Sequence, residues 1–130
     1  MKLNLNDILE EEMYLMPHLL AQLRLEKNND RAAAPFVHLQ QLYEFEFSPI
    51  TKYEINEAGL YQQESLCEHW SKHGVDIYVA FKNKTPIGFA VVNLSSMISD
   101  DTDTRDIAEF FIMPSERANQ IGKWMAYEIS

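Results

Sequence analysis

Two runs of β-branched and aromatic residues, Val75 to Phe81 (VDIYVAF) and Ile87 to Leu94 (IGFAVVNL), stand only a short polar stretch apart, Lys82 to Pro86. Such side chains favour extended backbone, and a parallel pair would need a crossover of a dozen or more residues, so the connection predicts an antiparallel hairpin. Asp106 to Met113 (DIAEFFIM) reads as a further strand stopped by Pro114. Gln22 to Lys27 alternates Leu23 and Leu25 against Arg24 and Glu26, the period of a short strand with one buried face.

The rest of the chain supplies helices to cover such a sheet. Between Arg31 and Glu46, Phe36, Leu39 and Tyr43 recur at helical spacing and continue to Phe47, with Leu42 alongside and Asp30 placed as N-cap. Pro49 and Gly59 bracket a connecting loop. Leu60 to His73 carries Leu66, Cys67 and Trp70 on one face and closes at Gly74, and Gln120 to Ser130 opens a last helix with Ile121, Trp124, Met125 and Tyr127. The order strand, two helices, three strands, helix predicts an α+β domain with an antiparallel sheet flanked by helices.

At 130 residues one domain can bury a core without a disulfide or metal staple. With 20 acidic against 11 basic side chains, a net charge of -9, the surface repels nucleic acid and anionic membranes, and neither is an expected partner. Cys67 is the only cysteine, so no intrachain disulfide forms and a cytoplasmic location is expected, where the Asn83 and Asn93 glycosylation triplets carry no meaning. Residues 1–20 read as an extension whose Asp7 and Glu10 to Glu12 do not suit a secretory signal, and residues 21–130 as the domain. No apolar stretch approaches the length of a membrane span.

Chemistry concentrates at the strand-to-helix junction Asp106 to Lys123 (DIAEFFIMPSERANQIGK). A strand that breaks at Pro114 into a loop carrying Arg117, Asn119 and Gly122 aims the first N–H groups of a helix outward, an arrangement that suits phosphate. Arg117-Ala118-Asn119-Gln120-Ile121-Gly122, preceded by the strand Ala108 to Ile112, resembles the signature Arg/Gln-x-x-Gly-x-Gly/Ala of the GCN5-related N-acetyltransferase superfamily, with Gln120 standing where that signature has its first glycine. The segment Leu39 to Ser48, Gly59-Leu60-Tyr61 and Ile87-Gly88-Phe89-Ala90 resemble a small bacterial branch of that superfamily, and the resemblance spans about residues 22–130.

The resemblance implies an acetyl-CoA-dependent N-acetyltransferase that moves an acetyl group directly to an amine. It would seat the coenzyme's pyrophosphate on Ala118, Asn119, Gln120, Ile121, Gly122 and Lys123 with charge from Arg117 and Lys123, and run the pantetheine along Phe110, Phe111 and Ile112. Glu109, which alternation places on the face of Phe111, is the implied general base, its carboxyl pushed upward by apolar neighbours. The family fold continues with another strand, a helix and a hairpin, so the resemblance implies a sheet lacking those C-terminal strands. The unpaired edge at Phe110 to Ile112 then predicts a homo-oligomer. The alternative is a truncated, non-catalytic module of the same fold, kept for partner binding or self-association.

Three other groupings carry less. His69 and His73 lie four apart near Cys67 and Glu68, without the order or the third ligand of a zinc site, so no metal is expected. Asp100, Asp101 and Asp103 lack the glycine and oxygen pattern of a calcium loop and would border the acceptor site, where they attract a cationic amine. Cys67 sits mid-helix beside Leu66 and Trp70 and reads as a buried thiol.

Overall fold

The computed structural model describes residues 17–30, 32–62, 74–94 and 106–130. They form an α+β unit around one four-stranded antiparallel sheet in the order β1-β2-β3-β4. The strands are β1 (Leu23–Lys27), β2 (Val75–Lys82), β3 (Thr85–Asn93) and β4 (Asp106–Ile112). A single turn, α1 (Pro17–Leu20), precedes β1; α2 (Ala34–Thr51) lies between β1 and β2; a 3₁₀ segment (Pro114–Asn119) and α3 (Ile121–Ile129) follow β4. Among the described residues no helix is long and apolar enough to cross a membrane.

The hairpin of β2 and β3 is the centre of the core. It turns through Asn83 and Lys84, and Asn83 takes the left-handed conformation (φ 56°) that asparagine tolerates better than most residues. Both faces of the hairpin are buried. Val75, Ile77, Val79 and Phe81 of β2 join Phe89 and Val91 of β3 and Phe111 of β4 under Phe36 and Leu39 of α2. On the opposite face Ala80, Ile87, Ala90, Val92, Ile107 and Ile112 pack under Ile121, Trp124, Met125 and Ile129 of α3. Leu23 and Leu25 of β1 pack on this second face, while Arg24 stacks over the Phe81 ring at 4.6 Å on the first.

Beyond β1 the chain is fastened by side chains that imitate strand pairing. Asn28 N donates to Ile77 O (2.9 Å), and the Asn29 amide accepts from Ile77 N (2.8 Å) while donating to Asp76 (3.1 Å). Asp76 is buried and also takes Lys27 Nζ at 3.3 Å, so each carboxylate oxygen has a partner. A second such clasp joins Gln41 of α2 to Tyr61. The Gln41 amide donates to Tyr61 O and accepts from Tyr61 N, both at 2.8 Å, bringing the chain after α2 back against that helix.

Three expectations about α2 are corrected. Asp30 does not cap α2: its carboxylate accepts from Ala32 N (3.0 Å) in a turn ahead of the helix, and Ala33 is the N-cap. Proline fits the first turn, whose N–H groups have no helical partner, so Pro35 helps set the start. The helix also passes through Pro49 to Thr51 instead of yielding to a loop there. Proline at 49 removes the donor that Phe45 O would receive, and the Ser48 hydroxyl supplies one at 2.8 Å. Lys52, left-handed at φ 60°, ends the helix with its N–H on Ser48 O. Leu42 is 44% exposed, not in the core-facing row.

Leu60 to Gln62 are not helical, contrary to the helix expected to start at Leu60, and the rest of that expected helix, with Cys67, His69, Trp70 and His73, lies outside the described residues. So do residues 1–16 of the expected extension and the acidic segment Asp100 to Asp103. Pro17 opens α1.

Candidate functional site

Of the expected site residues, Glu109 and Phe111 lie where α2 crosses β3 and β4, whereas Phe110, Ile112 and Ile121 lie on the opposite face under α3. Strand β4 pairs with β3 through Phe89↔Phe111 and Val91↔Glu109, so Glu109 and Phe111 share the face toward α2, as alternation requires. The register slips between Val91 and Val92, leaving Ala108 as an extra residue, and this bulge lets Ile107 and Ile112 both join the face under α3 although they are an odd number of positions apart. From above, Tyr43 of α2 sets its ring edge-on to Phe89 (5.5 Å between centroids) and Phe111 (6.1 Å). Gln40 and Glu44, one turn apart on the same side of α2, are buried at 0% and 4% exposure.

The electrostatics there are unusual. Glu109 Oε2 is shut off from solvent and has no hydrogen-bond partner among the described residues. Burial and then the neighbouring charge of Glu44 push the Glu109 carboxyl up to about 8, with a hydrogen bond from the Gln40 side chain drawing it partly back. Burial pushes the Glu44 carboxyl up as well. The Tyr43 phenol is raised by burial and by both carboxylates. The cation that follows in sequence does not offset them, because Arg117 is committed elsewhere.

Arg117 folds back from the 3₁₀ segment. Its Nε donates to Ile112 O (2.8 Å), its Nη2 lies 2.8 Å from both oxygens of Glu46 on α2, and its guanidinium sits 5.6 Å from the Phe111 ring centroid. The arginine read in sequence as part of an anion site thus ties the end of β4 to α2. On the other side of the same turn Glu116 meets Lys82 of β2 at 3.3 Å.

The junction itself departs from a plain loop. Strand β4 ends at Ile112, not Met113, and the chain enters a 3₁₀ segment before α3, which starts at Ile121 and not Gln120. Arg117, Ala118 and Asn119 lie in turns whose N–H groups bond carbonyls three residues back, so their amides point inward. Only the first turn of α3, at Ile121, Gly122 and Lys123, retains the amide geometry of a helix start. Gly122 packs toward Phe110, whose ring would lie 3.6 Å from an added Cβ. Phe110 is half-buried against the face under α3, on the opposite side of the sheet from Glu109 and Phe111.

Gln120 joins the two helical pieces at φ 59° and ψ 20°, left-handed backbone that disfavours a side chain by about 1 to 2 kcal/mol. A glycine relieves that strain and loses some of the gain to chain entropy. Gln120→Gly is therefore expected to raise stability by about 0.5 to 1 kcal/mol, read as a higher midpoint in urea unfolding with an unchanged slope.

Gln40, Glu44 and Glu46 were not singled out in the sequence. The signal was present: Gln40 and Glu44 fall between Phe36, Leu39, Tyr43 and Phe47 on the core-facing side, and a polar residue on such a stripe must find a buried partner. An open cavity of about 520 Å³ on the far side of α2, lined by Val37, His38, Gln41, Asn56, Leu60, Tyr61 and Gln62, contains none of the expected site residues. Among the described residues no three histidine, cysteine or carboxylate side chains gather as a metal site. Compared with known proteins, the chain matches no family model and no curated sequence.

Proposed function

We propose that the chain is an acetyl-CoA-dependent N-acetyltransferase of the GCN5-related type, with Glu109 as general base toward an amine acceptor. The observation that supports this reading most is the Glu109 carboxyl, half-buried on the strand that leads into α3 and raised to about 8, where it exchanges protons near neutrality. The order of strands and helices, and the helix start at Ile121 to Lys123 beside the end of β4, are compatible with a coenzyme laid along Phe110 to Ile112. Arg117 does not fit a diphosphate while it holds Glu46 and Ile112 O, so the amides of Ile121, Gly122 and Lys123 would carry that contact.

Acetyl-CoA supplies the acetyl group on a thioester carbonyl. Glu109 takes a proton from the acceptor ammonium, breaking N–H and forming O–H, which frees the nitrogen lone pair. The N–C bond then forms as C–S breaks, the remaining surplus nitrogen proton passes to sulfur, and Glu109 returns its proton to water. The acceptor class is a primary amine that is cationic at neutral pH.

The second reading is a non-catalytic module of this fold, with self-association through the edge of β4. It is favoured by the Arg117 clamp, which closes the junction without any ligand. Calorimetric titration with acetyl-CoA separates the two. The enzyme is expected to bind at micromolar concentration and the module to give no heat. If binding appears, Glu109→Gln is expected to lower kcat/KM by about 10²- to 10⁴-fold and to remove the inflection in its pH profile. Turnover that keeps both its rate and its pH profile in this variant removes Glu109 from the role.

A further inference from the structure

Glu109 does not stand alone, and its surroundings assign a role to a residue on the opposite element. Gln40, fully buried on α2, lies beside the Glu109 carboxyl and draws its titration partly back down. Glu44 is the next residue on that side of α2, one turn along, and is buried at 4% exposure. Tyr43, between them, rests on Phe89 and Phe111, the ring pair that neighbours the Val91↔Glu109 pair in the β3–β4 register. The helix thus lowers a second carboxyl into the pocket that already holds Glu109. The groups facing Glu109 can be taken element by element among the described residues. Helix α2 presents Gln40, Tyr43 and Glu44; β3 presents Val91; and Glu46, further along α2, is neutralised by Arg117 at 2.8 Å. Among the described residues no cation sits between the two acids. Two carboxylates buried together without one cannot both ionise at ordinary cost.

We infer that Glu44 and Glu109 hold one proton between them and that Glu44 is a positioning residue, keeping Glu109 ready to take the acceptor's proton. The inference rests on the acetyl-transfer reading for its purpose, but the sharing of a proton belongs to the chain itself. Glu44 acts through Glu109, touching neither the amine nor the thioester. When the pair holds one proton, Glu44 shares the negative charge that a cationic amine meets. Once the pair has released that proton, Glu109 takes the amine's in its place and the pair again holds one.

The test is carboxyl-carbon NMR of the unliganded full chain, following the glutamate side-chain signals from about pH 2.5 to about pH 10, roughly two units below the ordinary midpoint of 4.5 and two above the raised one near 8. In the wild type two coupled signals are expected, with the upper midpoint near 8. In Glu44→Gln the Glu109 midpoint is expected to fall by about one pH unit or more. In Glu109→Gln the Glu44 midpoint is expected to fall in its turn, because coupling is reciprocal. This second variant decides the matter if the first does not fold. A Glu109 midpoint that stays in place without Glu44, or a Glu44 midpoint that stays in place without Glu109, overturns the pair. Absence of acetyl-CoA binding would overturn the proposed activity and leave these titrations standing, so the two failures are distinguishable.

Discussion

Stability is expected to fall as pH rises from about 4.5 to about 8, and Glu109→Gln is expected to remove most of that fall. The unfolded chain releases the Glu109 proton at its ordinary value of 4.5, whereas the folded chain keeps it to about 8. Between those values the native state binds more protons than the unfolded state, so each step upward in pH favours unfolding, by about 1.4 kcal/mol per pH unit for one proton. Stability from this group is complete below 4.5 and lost as pH passes through 8. Across the window the loss is roughly 3 to 5 kcal/mol, a large share of the 5 to 15 kcal/mol by which domains of this size are stable. Glu44, raised in the same direction by burial, adds to the slope; Tyr43 acts only at alkaline pH. Urea unfolding at intervals from pH 5 to pH 8, about one unit apart, checks this, with Glu109→Gln more stable than the wild type by about 3 kcal/mol at the upper end. A wild-type midpoint that does not move across that range rejects the buried-carboxyl account. The sign bears on the proposed function: a pair of buried acids with no cation beside it among the described residues weakens the fold at neutral pH, the cost expected of groups kept for chemistry.

The sheet was legible because each of its strands is written locally. VDIYVAF and IGFAVVNL are apolar enough to be buried on both sides, and the five residues Lys82 to Pro86 between them are too few for anything but an antiparallel hairpin, though the register shift between Ala80 and Phe81 is not written there. The face of Glu109 followed from Phe111 two positions on. What was not legible came from single hydrogen bonds between side chain and backbone. Pro49 reads as a helix stop until the Ser48 hydroxyl is seen on Phe45 O, and Asp30 reads as a cap until its carboxylate is seen on Ala32 N. The site fared similarly. Glu109 was visible as a carboxylate among aromatics, but its partners Gln40 and Glu44 come from a helix more than sixty positions away, and only the packing of α2 on β4 joins them. Arg117 looked free for an anion because its acceptors, Glu46 and Ile112 O, are set by tertiary contact and by a 3₁₀ turn that no periodicity announces. The resemblance to an acetyltransferase signature rests on that same turn, so its geometry, with Gln120 in left-handed backbone, bears directly on how a coenzyme would be held.

Gly88→Ala is expected to cost about 3 kcal/mol, the sum of overpacking against immovable atoms and a weakened strand-pairing hydrogen bond. In an ordinary strand the same change would help, since glycine weakens strands by roughly 0.5 to 1 kcal/mol through chain entropy. Here the sign reverses. Gly88 lies opposite Ile112 in the β3–β4 register, and a Cβ on it would stand 2.5 Å from Phe111 O, 2.8 Å from Ile112 Cδ1 and 3.3 Å from Ile112 Cα. Two of those three are backbone atoms and cannot swing aside. Relief requires β4 to move away from β3, which strains the adjacent bond from Met113 N to Ile87 O (2.7 Å) and pulls on Ile112 O, where Arg117 is anchored. Gly74→Ala is the control: its Cβ would meet the Leu94 side chain, with Cδ1 nearest at 3.1 Å, and a flexible end can yield. Urea unfolding of both variants should show a large loss for Gly88→Ala and a change within about 0.5 kcal/mol for Gly74→Ala. Amide shifts in Gly88→Ala should move most at Phe111 to Met113 and carry through Arg117 to Glu46. If Gly88→Ala is as stable as the wild type, β4 does not lie against β3 as closely as the structure has it, and the placement of Glu109 beneath Glu44 fails with it.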